Sequence, residues 1–362
     1  MNKPSLKIAA ATARPHFQIL DGMRGVAALA VVIFHFMEWI YTDPAKNFIG
    51  HGFLAVDFFF CLSGFVIGYA YDGRLGKIGL KSFFKLRLIR LQPMVIFGSL
   101  IGLVAFLFDP FADYQYSYPA GKIVLIFLCS MFLIPFPVME ERAFNLFGLN
   151  APSWSLFWEY VANIFYAVLL VKLPRRYLIL LLVPAAFFLF LTAYENGNLL
   201  GGWAGENFWD GGIRIWYSFL AGLIIYRYRL MIRNRLGFFA SAVLLSLAFL
   251  MPHFSFNWLA ETLIVLIYFP LIVSVGAGSS LPQGSVRICE FAGNISYPLY
   301  MTHYAGIWIF GNYLLQYKPS GLPLAVIVIT GTLILILFAW TVMKFYDMPV
   351  RKWLNRKRMR IE

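Results

Sequence analysis

The chain has 362 residues, 60% of them hydrophobic and 13% charged, and carries a net charge of +13. Soluble domains hold roughly 25% charged residues, so the composition excludes an ordinary soluble protein. The basic residues sit in blocks between apolar stretches, as cytoplasmic loops require, and this placement speaks against nucleic acid as a partner.

In chain order, a basic start (Lys3, Lys7, Arg14) runs into apolar sequence without a small-residue cleavage site, so no removable signal peptide is expected. Apolar segments then follow near 19–41, 53–71, 92–108, 121–137, 154–171, 177–193, 211–226, 236–251, 258–275, 291–315 and 323–345. A membrane span needs roughly 20 such residues, and these segments leave no room for a separate soluble domain. The expectation is an all-α, polytopic transmembrane bundle, one domain over 1–362, with short cytoplasmic tails at 1–18 and 347–362. Cys61, Cys129 and Cys289 lie in or beside apolar segments with no paired spacing, which suits packing rather than disulfides or metal.

Four basic blocks mark the inner side: Arg74 to Arg90, Lys172 to Arg176, Arg227 to Arg235, and Arg351 to Arg360. Inner blocks must be separated by an even number of crossings, yet three apolar segments lie between Arg90 and Lys172. The weakest is 121–137, which ends in Pro135 and Pro137 and is expected to be re-entrant or non-spanning. Ten crossings remain, with both termini cytoplasmic. Of the 30 Lys and Arg residues, all but Lys46, Lys122, Arg142, Arg214 and Lys318 then fall on the inner side.

Ionisable groups inside a bilayer cost about 2.5–3.5 kcal/mol each on the insertion scale, so those retained in spans mark function or packing. Arg24 and His35 in the first span are separated by about three helical turns and so face the same way, about 16 Å apart along the axis. A snorkelling arginine and a packed histidine are the plain alternative. In the second span Asp57, Cys61, Gly64 and Gly68 form one face of small residues carrying an acid, the pattern of a helix pressed against a neighbour. Asp57 is placed near the depth of His35, where it either orients the imidazole or faces water at the interface.

Arg87 and Arg90 share a helix face and form a candidate phosphate clamp, or else a topology anchor. Trp154 and Ser155 open a further span, in which Ser155, Glu159 and Asn163 make a polar stripe; this topology puts Glu159 at the depth of His35. Ser296, Tyr300 and His303 form a third polar face.

These residues carry a resemblance. The chain is similar to the membrane acyltransferase-3 family at Leu20-Asp-Gly-Met-Arg24-Gly to His35, and at Gly52-Phe-Leu-Ala-Val-Asp57 through Ser63-Gly-Phe65. Arg87-Leu-Ile-Arg90, Trp154-Ser-Leu-Phe-Trp-Glu159 and Ser296-Tyr-Pro-Leu-Tyr-Met-Thr-His303 follow in the family's order. Asp347-Met-Pro349 departs from the glutamate that often precedes this proline, and no hydrolase-like domain is expected after the last span.

The resemblance implies an O-acyltransferase of a bacterial inner membrane. It would move an acyl group, acetyl by default, from acyl-CoA to a hydroxyl of an extracytoplasmic or lipid-linked glycan such as polysaccharide or lipopolysaccharide. It implies His35 as general base or transient acyl carrier, with Asp57 or Glu159 orienting it. Arg24, Arg87 and Arg90 would bind the coenzyme phosphates, and Ser63, Trp154, Ser155, Tyr300 and His303 would support substrate or structure. Acyl-CoA enters as co-substrate, with no resident cofactor or metal; membrane lipids and glycan-assembly proteins are the other expected partners. The alternatives are an acyltransferase for a small-molecule acceptor and a proton-coupled transporter with a relay through His35, Asp57, Glu159, Glu261 and His303. The chain lacks the internal repeats common in transporters.

Overall fold

The computed structural model describes residues 17–359; the outer parts of the two predicted tails, with Lys3, Lys7, Arg14 and Arg360, lie outside the described residues. Each predicted apolar segment contains a helix, although 121–137 is helical only as far as Met131. The order is α1 (Gln18–Ile40), α2 (Ala55–Tyr71), α3 (Leu75–Leu107), α4 (Ala120–Met131), α5 (Ser153–Val168), α6 (Arg175–Asn196), α7 (Phe208–Arg227) and α8 (Gly237–Phe249). It continues through α9 (Asn257–Leu263), α10 (Phe269–Gly278), α11 (Val286–Tyr317), α12 (Gly321–Val342) and α13 (Met348–Met359). A π-helical turn at Ile264–Tyr268 joins α9 to α10, and another at Met343–Asp347 joins α12 to α13. Among the described residues there is no strand, only the isolated bridges Asn145–Ala204 and Asn234–Ser279. A helix satisfies its backbone internally, which is what a chain immersed in lipid needs.

Seven helical stretches are long and apolar enough to cross a membrane. Both α7, at 20 residues, and α11, at 32, are also long enough. Their hydropathy is lowered by polar groups such as Asp210 and Arg214 in one, and Arg287, Glu290 and Asn294 in the other. The segment expected not to span forms α4, only 12 residues long. That is about 18 Å of helix against a hydrocarbon core of about 30 Å. Past α4 the chain turns at Leu133, with φ of 54°, into irregular backbone. A helix of 13 residues, α8, is also short, so the expected ten crossings depend on how much flanking chain α8 carries into the bilayer.

Burial separates central from peripheral helices. The most apolar window is 67% buried in Gly52–Tyr71 but 6% buried in Gly321–Met359, so α2 is central while α12 faces outward along its length. The centre is built from two close crossings. Along α1 and α11, a Cβ added at Gly25 would lie 2.5 Å from the Ala292 Cβ, and one at Gly293 would lie 2.6 Å from the Asp21 Cβ. Between α2 and α7, a Cβ at Gly64 would fall 2.0 Å from the Phe219 carbonyl oxygen, and one at Gly222 would fall 1.9 Å from that of Cys61. The small face expected on α2 is therefore the surface on which α7 lies. Without a hydrophobic driving force in lipid, such close backbone approach is how helices gain packing energy. All three cysteines are buried and unpaired within this bundle. Gly79, at φ 76°, kinks the start of α3 ahead of Arg87 and Arg90.

Gly222→Ala should destabilise the protein by about 1–3 kcal/mol through overpacking. Gly76→Ala, whose new Cβ would meet nothing within 4 Å, should leave the thermal midpoint of the detergent-solubilised protein unchanged. Equal midpoints for the two variants would refute the close-crossing account.

Candidate active site

Three arginines gather where α1, α3 and α11 meet α2 and α5. Arg24 donates through Nε to Ser296 Oγ at 2.9 Å and through Nη2 to the Gly293 carbonyl at 2.7 Å, and pairs with Asp21 at 3.1 Å. Arg87 Nη2 lies 2.6 Å from Glu159 Oε1, an oxygen that also accepts from Ser63 Oγ at 3.1 Å. Arg90 has neither hydrogen bond nor salt bridge among the described residues, so its guanidinium stays available. All three arginines line one cavity of about 170 Å³, together with Ser63, Glu159 and Ser296.

Eleven residues beyond Arg24 on α1, His35 lines a second cavity, of about 90 Å³, with Glu38, Trp154, Tyr300 and Tyr304. Its Nδ1 is 2.7 Å from Glu38 Oε2, its ring stacks on His303 at 5.4 Å, and Tyr304 meets it edge-on at 4.8 Å. A carboxylate on Nδ1 selects the tautomer with the proton there and leaves Nε2 as the basic nitrogen. His303 is fully buried, its Nδ1 bonded to the carbonyls of Leu299 and Tyr300, and so is a packing partner of His35.

Two of the expected acids lie elsewhere than the sequence suggested. Asp57 does not meet His35. Its carboxylate is bound bidentately by Arg214, from Nε at 3.1 Å and Nη2 at 2.6 Å, and both side chains are fully buried. Arg214 also donates to the Gly201 carbonyl at 2.6 Å, and its guanidinium lies over the Trp154 ring at 5.2 Å. The Asp57 charge is thus neutralised within the α2–α7 crossing. Glu159 is held at the arginine cavity by Arg87 of α3, while Ser155 of the same stripe meets Tyr300 of α11, and Glu159 does not line the His35 cavity.

Sequence reasoning missed Glu38 and Arg214. Glu38 is three residues from His35, and that helical spacing was a usable signal. Arg214 was visible as a basic residue on the wrong side of the topology.

The cavities stand in series. Val56 and Tyr300 line both the arginine cavity and the His35 cavity, and the Tyr300 hydroxyl is fixed 2.8 Å from Ser155 Oγ. On the other side, Val66, Ile67, Arg87 and Arg90 are shared with a wider cavity of about 870 Å³. A line of adjoining voids therefore leads from a basic mouth, past the arginines, to a histidine with a free nitrogen. Among the described residues no group of His, Cys, Asp and Glu is gathered to hold a metal ion.

A polytopic helical membrane protein with this interior suits group transfer between two depths of the bundle, and comparison with known proteins gives the class. The acyltransferase domain model of the acyltransferase-3 family matches residues 17–343, and the chain belongs to that family. It is 33% identical over 188 residues to Protein 2 in the picA locus of Rhizobium radiobacter, a match covering 49% of this chain and 95% of that one. It is 25% identical over 360 residues to the O-acetyltransferase OatA of Staphylococcus aureus, covering 92% of this chain but 57% of that longer protein. No solved structure matches the chain.

If Asp57 is an anchor, Asp57→Ala strands a buried guanidinium and should cost about 3–5 kcal/mol, while Asp57→Leu combined with Arg214→Met should recover most of it. Thermal midpoints and yields of folded protein in detergent check this. An Asp57→Ala protein of normal stability that lacks only turnover would return Asp57 to the chemistry.

Proposed function

We propose that the protein is a membrane O-acyltransferase. It takes an acyl group, acetyl by default, from cytoplasmic acyl-CoA and delivers it to a hydroxyl of an extracytoplasmic or lipid-linked glycan. The single observation that carries this reading is the series of cavities joining a basic mouth to His35. The positive-inside distribution supports a cytoplasmic position for the basic mouth, the side from which the proposed donor would come. Family membership supplies the reaction class, and the S. aureus relative's name supplies the oxygen acceptor and the acetyl group.

Coenzyme A is a polyanion on a long, thin arm. In this proposal its phosphates meet Arg90 and the basic rim, and its pantetheine lies in the arginine cavity beside Ser63 and Ser296. The thioester then reaches the septum formed by Val56 and Tyr300. The ~16 Å rise from Arg24 to His35 suits an extended arm. On the far side, His35 Nε2 accepts the proton of the acceptor hydroxyl as its oxygen attacks the thioester carbon. Collapse of the tetrahedral intermediate breaks the carbon–sulfur bond, and the imidazolium returns the proton to the departing thiolate. Glu38 stabilises the transient imidazolium and fixes the ring, the role the sequence had suggested for Asp57 or Glu159. The small outer cavity favours a short acyl group.

His35→Ala should lower transfer by about 10²–10⁴-fold, the usual share of general-base catalysis, with insertion and folding retained. Acyl transfer by purified protein in liposomes is the measurement, and near-normal turnover would remove His35 from the reaction. Glu38→Gln should reduce kcat with little change in KM for acyl-CoA, since it touches the base and not the donor.

Arg90→Gln should weaken acyl-CoA binding in detergent by about tenfold, the loss of one charge-assisted contact, without destabilising the fold. Arg87→Gln should do both, because Arg87 also neutralises Glu159. Unchanged donor affinity in both variants would reduce the pair to topology anchors.

A further inference from the structure

The family match stops at residue 343, yet the chain continues through the π turn Met343–Asp347 into α13. This last helix packs against α3 and lines the mouth of the conduit. Lys344, Arg351 and Lys352 stand with Arg87 and Arg90 around the cavity of about 870 Å³, and no acidic side chain lines it. Their placement is built. A π turn offsets the helix that follows it, and such turns recur at functional sites. Asp347, at the end of the turn, is 1% exposed and pairs by charge with Arg351 at 2.5 Å, so the helix start is pinned from inside the bundle. Lys352 is exposed and Arg351 half-buried, leaving both cationic heads within reach of a ligand in the cavity.

A row of cations along a wide void with apolar walls suits a ligand with separated anionic groups and a flat apolar body. We infer that α13 forms the second wall of a nucleotide site and that Arg351 and Lys352 bind the 3′-phosphate of the coenzyme's adenosine, while Arg87 and Arg90 face the diphosphate and pantetheine. This rests on the donor assignment proposed above and extends it to a segment beyond the matched domain. Beside its contact with Asp347, the Arg351 guanidinium would still donate to a phosphate oxygen and the Lys352 ammonium would act as a point charge, so the two side chains together would distinguish a phosphomonoester from a bare ribose hydroxyl.

The same cations could serve an acidic lipid headgroup, whose phosphate offers the same chemistry, so the test separates the two. Binding of coenzyme A and of 3′-dephospho-coenzyme A to the full chain is measured in nanodiscs of zwitterionic lipid. The unmodified protein should favour coenzyme A by about tenfold or more, as loss of a charge-assisted phosphate contact implies. Arg351→Gln with Lys352→Gln should bring that ratio close to one while binding of the dephospho form is retained. Lys352→Gln alone, at an exposed position, should lower the ratio in part and guards against misfolding of the double variant.

A ratio near one in the unmodified protein, or a ratio unchanged in the variants, overturns this inference and leaves the donor assignment standing. So does a ratio that collapses once phosphatidylglycerol is added to the disc, which assigns the cations to lipid. An unmodified protein that binds neither nucleotide overturns both.

Discussion

The buried pair of Asp57 and Arg214 fixes the frame on which the rest of the interior depends. Removing two charges from water costs several kcal/mol per ion, and the cost is met here by bidentate geometry and further bonds from Arg214 to carbonyls. Such a pair tolerates little displacement, so it sets the register of α2 against α7 where Gly64 and Gly222 already bring the backbones together. With α2 fixed, Val56 in the septum and Ser63 in the wall of the arginine cavity are fixed as well.

From that frame the site follows by division of charge. Asp57 is committed to Arg214, Glu159 to Arg87, and the more exposed Glu38 to His35. What remains open is a guanidinium on Arg90 at one end and an imidazole nitrogen at the other. In the proposed reaction these two unspent groups do the binding and the proton transfer. In that proposal their separation along α1 and α3 would let donor and acceptor approach from opposite ends of the bundle.

The septum of Val56 and Tyr300 has a consequence for the same scheme. Two cavities that share walls without merging keep the acceptor side apart from the donor side until a ligand occupies them. In that scheme a thioester crossing there would meet the acceptor hydroxyl only once both cavities are filled. The Tyr300 side chain, tethered to Ser155, is the natural divider.

Much of this was legible in the sequence. Helical period alone put Arg24 beneath His35, joined Arg87 to Arg90, and gave α2 a small-residue face, because residues on one helix obey a fixed rotation and rise. Composition and the placement of lysines and arginines gave the all-α membrane bundle. Glu38 lay within the same local rule, three residues from His35, and was legible though passed over. What only the tertiary structure decided was the choice of partner across helices. Asp57 and Arg214 are 157 positions apart and Arg87 and Glu159 are 72 apart, and nothing in a single helix's periodicity states which neighbour it will face or at what tilt. The cavities and the position of α13 were likewise decided there, since a void is defined by several helices at once.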